Sequence, residues 1–358
     1  MINNIINATS IHKGGGLTYL FIIHKYIDKK NKLIFLDSRS KKYIKYFQNI
    51  KIIYLKKGPF RNIRILFFRI KYIFKFNKLK SQKVNIKTFT EISLNGLPPL
   101  FRIGKKFTKV YIFCQNRLVF EKNISKLFGI AYFKIYLYLL IHRIIFYLFK
   151  RPNDIIIVQT ESMRKLLMDL KIKNKIILQE KIWGNINKDN YIKLLDLGTK
   201  DLKYNPKLEY IKDLYKSNIL YFYPAYFLPH KNHFRLLKAF EELGKNDKNP
   251  HKLLLTITNA DYHKLFKNKN KNVILLDDLS YKDIFIIYRY IDYLIFPSLI
   301  ESYGLPLLEA MFSNIDIIAS DLQFVYDICK PFLSFNPNEV EDIFDKVKYS
   351  FELNKRFQ

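Results

Sequence analysis

Seven residues separate two glutamates, Glu301 and Glu309, in a stretch that follows an apolar segment at 293–296. Gly304 and Pro306 lie between them. Proline suits the first turn of a helix, where its missing N–H would have no partner in any case. The spacing therefore predicts a strand, a tight loop and a helix, whose first amides form an anion site. Carboxylates in the loop and one turn inside the helix can grip the hydroxyls of a nucleotide sugar.

The segment PSLIESYGLPLLEA, residues 297–310, closely resembles the glutamate–seven residues–glutamate signature of retaining glycosyltransferases of family 4, also called glycosyl transferases group 1. The following IIASDLQFVYDIC resembles the next strand and loop of that family. The resemblance implies that Glu301 contacts the transferred sugar and that Glu309 takes the ribose hydroxyls. It also implies that backbone amides bind sugar and phosphate at Ser302, Tyr303, Gly304 and Leu305. The alternative is a pair of solvated carboxylates on an ordinary helix.

A second segment, YFYPAYFLPHKNHFRLLKAF, residues 221–240, resembles the strand, loop and helix that open the family's donor domain. Lys231 matches the lysine that meets the diphosphate in that family. A cation at this place stabilises charge that grows as the glycosidic bond breaks. Many members carry an arginine five residues earlier, where this chain has Tyr226. The alternative is a surface lysine in a lysine-rich chain.

The N-terminal half offers two weaker candidates. Gly15 and Gly16 belong to a glycine run after a first strand at 2–8 and resemble the family's loop facing the donor diphosphate. Glycine lets backbone approach a ligand closely, although three glycines can also form a simple turn. Gln115 and Asn116, in FCQNRLVF, resemble loops that line the acceptor side, with a structural turn as the alternative.

Strand and helix patterns alternate along both halves, which favours an α/β protein. The resemblance implies two Rossmann-like doubly wound domains facing a central cleft, the GT-B architecture. We predict an acceptor-side domain at 1–200, a nucleotide-sugar donor domain at 201–340, and a C-terminal helix at 341–358 packing back toward the N-terminal domain. Candidate strands lie at 33–37, 50–55, 84–89, 110–113, 155–160, 219–223, 253–258, 273–276 and 293–296. Ser162 is interpreted as a helix cap, and 185–217 as the linker.

The charge balance is strongly basic, with 62 Lys and Arg against 31 Asp and Glu, a formal charge of +31. Such a charge favours anionic partners, although compositional drift explains part of it. Basic amphipathic segments at 59–80 and 126–151 are typical of helices lying in a membrane interface, with core-facing helices as the alternative. The basic residues are spread along the chain, which disfavours nucleic-acid binding. Two isolated cysteines and no signal-peptide pattern indicate a cytoplasmic protein. The two basic segments would make it peripheral on the inner face of the membrane.

The resemblance implies a metal-independent, retaining hexosyltransferase that needs no cofactor. It would move a sugar from a nucleoside-diphosphate sugar to a surface glycan or lipid-linked oligosaccharide, as in polysaccharide biosynthesis. Charge on the leaving group would be met by Lys231 and the helix amides, and Asp277 and Asp278 are adjacent rather than spaced as a metal motif. Two alternatives stay open: a catalytically silent glycan- or membrane-binding relative, and a nucleotide-sugar epimerase of the same fold.

Overall fold

Two parallel β-sheets, one in each half of the chain, organise the computed structural model. They belong to two units, Met1–Leu194 and Leu195–Gln358, whereas the sequence placed the boundary after residue 200. The structure describes residues 4–9, 11, 20, 32–40, 51–55, 89–99, 108–122, 124, 128, 132–184, 188, 191, 205–246, 250–268, 270–277, 279–354 and 356.

The described part of the first unit contains a seven-stranded parallel sheet. Its strands are β1 Asn4–Ala8, β2 Lys32–Asp37, β3 Lys51–Leu55, β4 Phe89–Ser93, β5 Thr108–Phe113, β6 Ile155–Val158 and β7 Lys175–Leu178. The order β3-β2-β1-β4-β5-β6-β7 reverses direction between β1 and β4. The strand predicted at 84–89 meets β4 only at Phe89. The polar residues Glu91 and Ser93 interrupt the apolar pattern of β4, so the sequence did not indicate this strand. Both residues are buried in this central strand.

The helices described in the first unit are α1 Phe133–Phe149, α2 Glu161–Asp169 and α3 Glu180–Trp183, with a 3-10 helix at Arg117–Val119. Thr160, not the predicted Ser162, caps α2, because its hydroxyl accepts a hydrogen bond from the amide of Met163 at 3.3 Å. Ser162 lies one position inside the helix. Among the described residues, no helix is both long and apolar enough to cross a membrane.

The second unit contains a six-stranded parallel sheet in its described residues. Its strands are β8 Ile219–Tyr223, β9 His251–Leu255, β10 Val273–Leu275, β11 Tyr293–Phe296, β12 Asp316–Ser320 and β13 Leu333–Phe335. Their order, β10-β9-β8-β11-β12-β13, is that of a doubly wound sheet. β8 and β11 coincide with the predicted strands and are buried throughout, as continuous apolar runs in a parallel sheet should be.

Helices flank this second sheet at α4 Pro206–Ser217, α5 His233–Asn246, α6 Asn259–His263, α7 Tyr281–Ile287, α8 Leu305–Phe312, α9 Gln323–Tyr326 and α10 Val340–Glu352. Two 3-10 helices lie at Pro229–Lys231 and Tyr288–Tyr290. The predicted linker at 185–217 was too long, because α4 occupies its last twelve residues. Asn205 caps that helix and Pro206 occupies its first turn. Both residues are helix start signals, but the polar composition of the segment led to its interpretation as a linker.

The C-terminal helix α10 packs within the second unit. Its Ile343, Val347 and Phe351 side chains belong to that unit's apolar core. Ser350 on the same helix contacts the Tyr221 hydroxyl of β8 at 2.6 Å. These contacts fix α10 against the sheet of its own unit.

Candidate active site

The best candidate site of the second unit lies where its strand order reverses, between β8 and β11. Ligands of open parallel sheets bind outside the carboxyl ends of the strands at such a switch point. The two strands end at Tyr223 and Phe296. The loops that follow them carry Lys231 and Glu301. Residues from two distant segments therefore reach the same edge of the sheet.

Asn232 ties these two loops together. Its backbone is left-handed, with φ of 59°, and ends the short 3-10 helix that carries Lys231. Its side-chain amide donates to the carbonyls of Pro297 at 3.1 Å and Pro337 at 2.7 Å. The backbone amide of Leu299, in the second loop, also donates to the carbonyl of His230, in the first loop, at 2.8 Å. The residues on both sides of Lys231 are therefore held by hydrogen bonds to the second loop.

Lys231 and Glu301 form an ion pair. The Lys231 Nζ atom lies 2.5 Å from Glu301 Oε1, and the two side chains are 18% and 12% exposed. Ser298 donates its hydroxyl to the same carboxylate oxygen at 2.7 Å. The Tyr223 hydroxyl in turn lies 2.7 Å from Ser298 Oγ. One carboxylate therefore receives both a cation and a neutral donor, in a partly buried place where such bonds are strong.

Tyr223 is the innermost member of this chain of hydrogen bonds. Burial, with the nearby charge of Glu301 as a smaller cause, holds the pKa of Tyr223 well above its usual range. The phenol therefore stays protonated. The Tyr223 hydroxyl also donates to the carbonyl of Lys231 at 3.0 Å. One buried phenol therefore contacts both the loop that carries Lys231 and the serine that holds Glu301.

The helix α8 begins as the sequence predicted. Gly304 is its N-cap, with φ of 81°, and Pro306 lies in the first turn. A side chain at Gly304 would place a Cβ atom 3.0 Å from Leu307 Cδ1, in addition to the strain of positive φ. Ser302, Tyr303 and the helix residue Leu305 are half-buried in this turn.

Glu309 lies in the second turn of α8 and is 3% exposed. The Tyr288 hydroxyl donates to its Oε2 atom at 3.3 Å. Burial and then the charge of Glu309 raise the pKa of Tyr288 well above its usual range, so the phenol remains a donor. The second glutamate is therefore a buried carboxylate with its own positioning partner and not a solvated residue on a helix face.

Two histidines beside Lys231 are buried. His233 lies between the rings of Tyr223 and Phe227, with centroids 5.1 and 5.7 Å away. Burial, helped by the charge of Lys231, lowers the pKa of His233 to about 3 and that of His230 to about 4. Both imidazoles are neutral at physiological pH, so they add no charge to the site.

Sequence reasoning missed four residues that build this site, namely Tyr223, Asn232, Tyr288 and Ser298. Ser298 stands in the PS pair of the signature, and Asn232 directly follows the lysine, so motif position was the available signal for both. Tyr223 and Tyr288 look like core aromatics. Only their hydroxyl contacts reveal the role, and these depend on packing.

Several predicted positions do not join this cluster. Tyr226, in the place of the family's arginine, is 48% exposed. Asp277 follows the edge strand β10, where Lys207 Nζ lies 3.4 Å from its Oδ2. Gly15, Gly16 and Asp278 lie outside the described residues. Within the described residues, no group of three or more histidines, cysteines and carboxylates could hold a metal ion.

The first unit has a cavity of about 220 Å³ at the carboxyl ends of β4 and β5. The predicted Gln115 and Asn116 both line it, together with Ile11, Leu94, Asn95, Gly96, Cys114, Val119, Phe120, Tyr138 and His142. Gln115 donates to the carbonyl of Leu94 at 3.1 Å, which fixes its amide in the wall. Burial lowers the pKa of His142, so a neutral imidazole lines this pocket.

Comparison with known proteins identifies the second unit by sequence and the chain by fold. Residues 206–356 match the family described as Glycosyl transferases group 1. No curated protein sequence matches the chain. Among solved structures, a glycosyltransferase from Rickettsia africae is similar with a TM-score of 0.63 at 16% identity, over 98% of this chain and 89% of that one.

Two further structures agree. Anabaena Alr3699/HepE, solved with UDP and glucose, has a TM-score of 0.61 at 12% identity, over 98% of this chain and 90% of its own. WaaG, a glycosyltransferase involved in lipopolysaccharide biosynthesis, has a TM-score of 0.59 at 12% identity over the same shares. At such identities the likeness concerns the fold. The second unit therefore matches the glycosyl transferases group 1, and the chain as a whole has the fold of these solved glycosyltransferases, the GT-B fold.

Proposed function

We propose that the chain transfers a hexosyl group from a nucleoside-diphosphate sugar to a surface glycan or a lipid-linked oligosaccharide, without a metal ion. The observation that carries the proposal is the Lys231–Glu301 pair at the switch point of the second sheet. It supplies one positive and one negative group where the reversal of strand order favours a nucleotide ligand. UDP-sugars are the first donors to test, because the HepE structure holds UDP and glucose.

Lys231 acts on the leaving diphosphate. As the bond between the anomeric carbon and the phosphate oxygen breaks, negative charge grows on that oxygen. An ammonium held by fixed backbone stabilises this charge without reorganising, which lowers the barrier more than it tightens binding. The amides at the start of α8, from Ser302 to Leu305, add dipoles of the same sign.

Glu301 and Glu309 position the donor. Glu301, fixed by Lys231 and Ser298, accepts hydrogen bonds from hydroxyls of the transferred sugar. Glu309, fixed by Tyr288, accepts them from the ribose. Carboxylates suit this task because each can accept several hydrogen bonds. The two residues orient the sugar and the nucleotide on either side of the diphosphate.

Retention of configuration needs no protein nucleophile in this proposal. The acceptor oxygen attacks the anomeric carbon on the face from which the diphosphate leaves. The proton of the acceptor hydroxyl passes to the departing phosphate oxygen, so charge and atoms balance within the reacting pair. Glu301 positions the sugar and neither gains nor loses a proton during the reaction.

The cavity of the first unit is the proposed acceptor site. Its wall presents amides at Asn95, Gln115 and Asn116 and a neutral imidazole at His142. Amides and a neutral imidazole both donate and accept, which suits sugar hydroxyls. The volume of about 220 Å³ limits direct contact to a short stretch of glycan. A longer acceptor would extend out of the pocket.

We also infer that the protein works at the cytoplasmic face of a membrane, as a peripheral protein. Its formal charge of +31 favours anionic lipid surfaces, each basic residue near the surface adding about 1 kcal/mol. A lipid-linked acceptor would be presented at such a surface. The basic segment at 59–80, with Arg64, Arg69 and Lys71, lies outside the described residues.

Incubation of the purified protein with a panel of nucleotide sugars tests the proposal, with nucleoside diphosphate release and sugar transfer both measured. We expect release with one donor and an acceptor, and none from a Glu301→Gln, Lys231→Ala double variant. Binding without release would favour the silent relative. Conversion of the donor sugar to its epimer without transfer would favour the epimerase.

A further inference from the structure

Helix α1 turns a continuous apolar stripe toward solvent. Six large side chains on one face are between 37% and 72% exposed: Phe133, Leu137, Leu140, Ile141, Ile144 and Leu148. Their spacing of three and four residues places them on a single side of the helix. We call this stripe the α1 face. Single exposed apolar residues are ordinary, but a contiguous apolar patch marks an interaction site.

The opposite side of α1 is anchored, so the helix cannot turn to bury the α1 face. Leu139 and Phe146 are buried, and the Phe146 ring meets Phe120 edge-on with centroids 4.9 Å apart. His142 Nε2 lies 3.1 Å from the carbonyl of Asn95. Arg143 donates to the carbonyls of both Val119 and Glu121. One side of α1 therefore faces the core, as the alternative raised by the sequence expected, and the other side is exposed.

Positive charge borders the α1 face and no negative charge interrupts it. The sequence from Phe133 to Asn153 contains no acidic residue. At the C-terminal end, Lys150 reaches Asn174 with its Nζ atom 3.3 Å from Oδ1, which places the helix end beside the turn before β7. The exposed basic residues of this edge are Arg151, Lys171, Lys173 and Lys175.

We propose that the α1 face docks the protein on an anionic lipid bilayer, with the helix lying in the interface and the basic edge on the headgroups. An apolar stripe bordered by lysine and arginine is the chemistry of interfacial helices. A second copy of this chain fits less well, because it would bring another +31 charge against the first. The proposal rests on the proposed peripheral association and names the surface responsible for it.

The placement of α1 gives this docking a consequence for the acceptor. Tyr138 and His142, on the flank of the same helix, line the proposed acceptor cavity. A helix of 17 residues is about 25 Å long, so the whole of α1 fits along a bilayer surface. An acceptor anchored by a lipid would then have its sugar beside the cavity without leaving the membrane.

The test is vesicle co-sedimentation of the full chain with liposomes of phosphatidylcholine alone or with phosphatidylglycerol added. The variant carries Leu137→Ser, Ile144→Ser and Leu148→Ser, at residues 42%, 49% and 72% exposed. The matched control carries Met168→Ser, Tyr210→Ser and Tyr349→Ser, at residues 53%, 51% and 48% exposed. Since all six side chains are exposed, circular dichroism and the melting temperature should show that both variants fold.

We expect the wild type and the control to bind the anionic vesicles and the α1 variant to bind at least tenfold more weakly. All three should release nucleoside diphosphate equally with a soluble acceptor sugar. Equal vesicle binding by the wild type and the α1 variant would show that the α1 face is not the docking surface, although the protein still binds membranes. No vesicle binding by the wild type would overturn both. A wild-type dimer without lipid that the α1 variant converts to a monomer would assign the face to a second copy.

Discussion

Lys231 and Glu301 stand 70 positions apart in the sequence and form an ion pair of 2.5 Å between Nζ and Oε1. The pair exists because β8 and β11 are neighbours in the second sheet, so the loops after them share one edge. A half-buried cation or carboxylate would be costly without its partner. Together they give the second unit a preorganised charged centre.

Lys231→Ala should lower kcat by about 10²- to 10³-fold, the usual cost of removing one group that stabilises transition-state charge. The KM for the donor should change less, because the charge on the leaving oxygen grows only as the bond breaks. Steady-state release of nucleoside diphosphate measures both. Lys238→Ala, at an exposed lysine of α5, is the control. An unchanged kcat would remove Lys231 from the reaction.

Glu309→Gln should weaken the affinity for free nucleoside diphosphate by about 1.5–3 kcal/mol, the range for hydrogen bonds to a charged group. This is roughly a 10- to 150-fold rise in Kd. Titration calorimetry is the measurement, and Glu241→Gln on the exposed side of α5 is the control. If the variant binds as tightly as the wild type, Glu309 does not contact the nucleotide.

Gly304→Ala should destabilise the second unit by about 1–3 kcal/mol, because alanine is strained at positive φ. The contact of its Cβ with Leu307 adds to the strain. Gly244→Ala is the matched control: its Cβ would meet Asn272 at an ordinary 3.5 Å inside helix α5. That change should stabilise by about 0.5–1 kcal/mol. Equal shifts in urea midpoint would contradict the argument.

The free energy of unfolding should decrease as the pH falls below about 6.5. The reason is that His233 and His230 are buried as neutral rings, with folded pKa values of about 3 and 4. In the unfolded chain a histidine titrates near 6.5, so unfolding takes up protons as the pH falls. Each ring contributes at most about 1.4 kcal/mol per pH unit between its two pKa values.

His233→Gln isolates this contribution from the titration of the carboxylates. Urea unfolding followed by circular dichroism at pH 7, 6 and 5 should give a shallower loss of stability for the variant than for the wild type. Parallel pH dependences for the two proteins would show that His233 is protonated in the folded state as readily as in the unfolded chain.

Transfer activity should survive treatment with EDTA. Lys231 and the amides at the start of α8 supply the charge stabilisation that a divalent cation would otherwise give. The release assay is repeated after chelation and again after Mg²⁺ or Mn²⁺ is added back. Activity that is lost with EDTA and restored by either metal would replace this account with a metal-assisted one.

Local residue patterns were enough to predict the elements around the site. Continuous apolar runs predicted β8 and β11 to the residue, and Pro306 with Gly304 predicted the start of α8. These signals are local, because burial on both faces of a strand and the geometry of a first helical turn select residue types at adjacent positions. The two signature glutamates and Lys231 stood out because their segments resemble the family's motifs.

Which residues come into contact depends on the packing of the folded chain. Strand order brings Lys231 to Glu301, and packing aims the hydroxyls of Tyr223 and Tyr288 at the site. It also decided which face of α1 is exposed. The sequence analysis described this segment as amphipathic, but the helix carries apolar residues around most of its circumference, so periodicity could not tell the buried side from the solvent side. Contacts between distant segments depend on sheet topology and register, which no local pattern of residue types encodes.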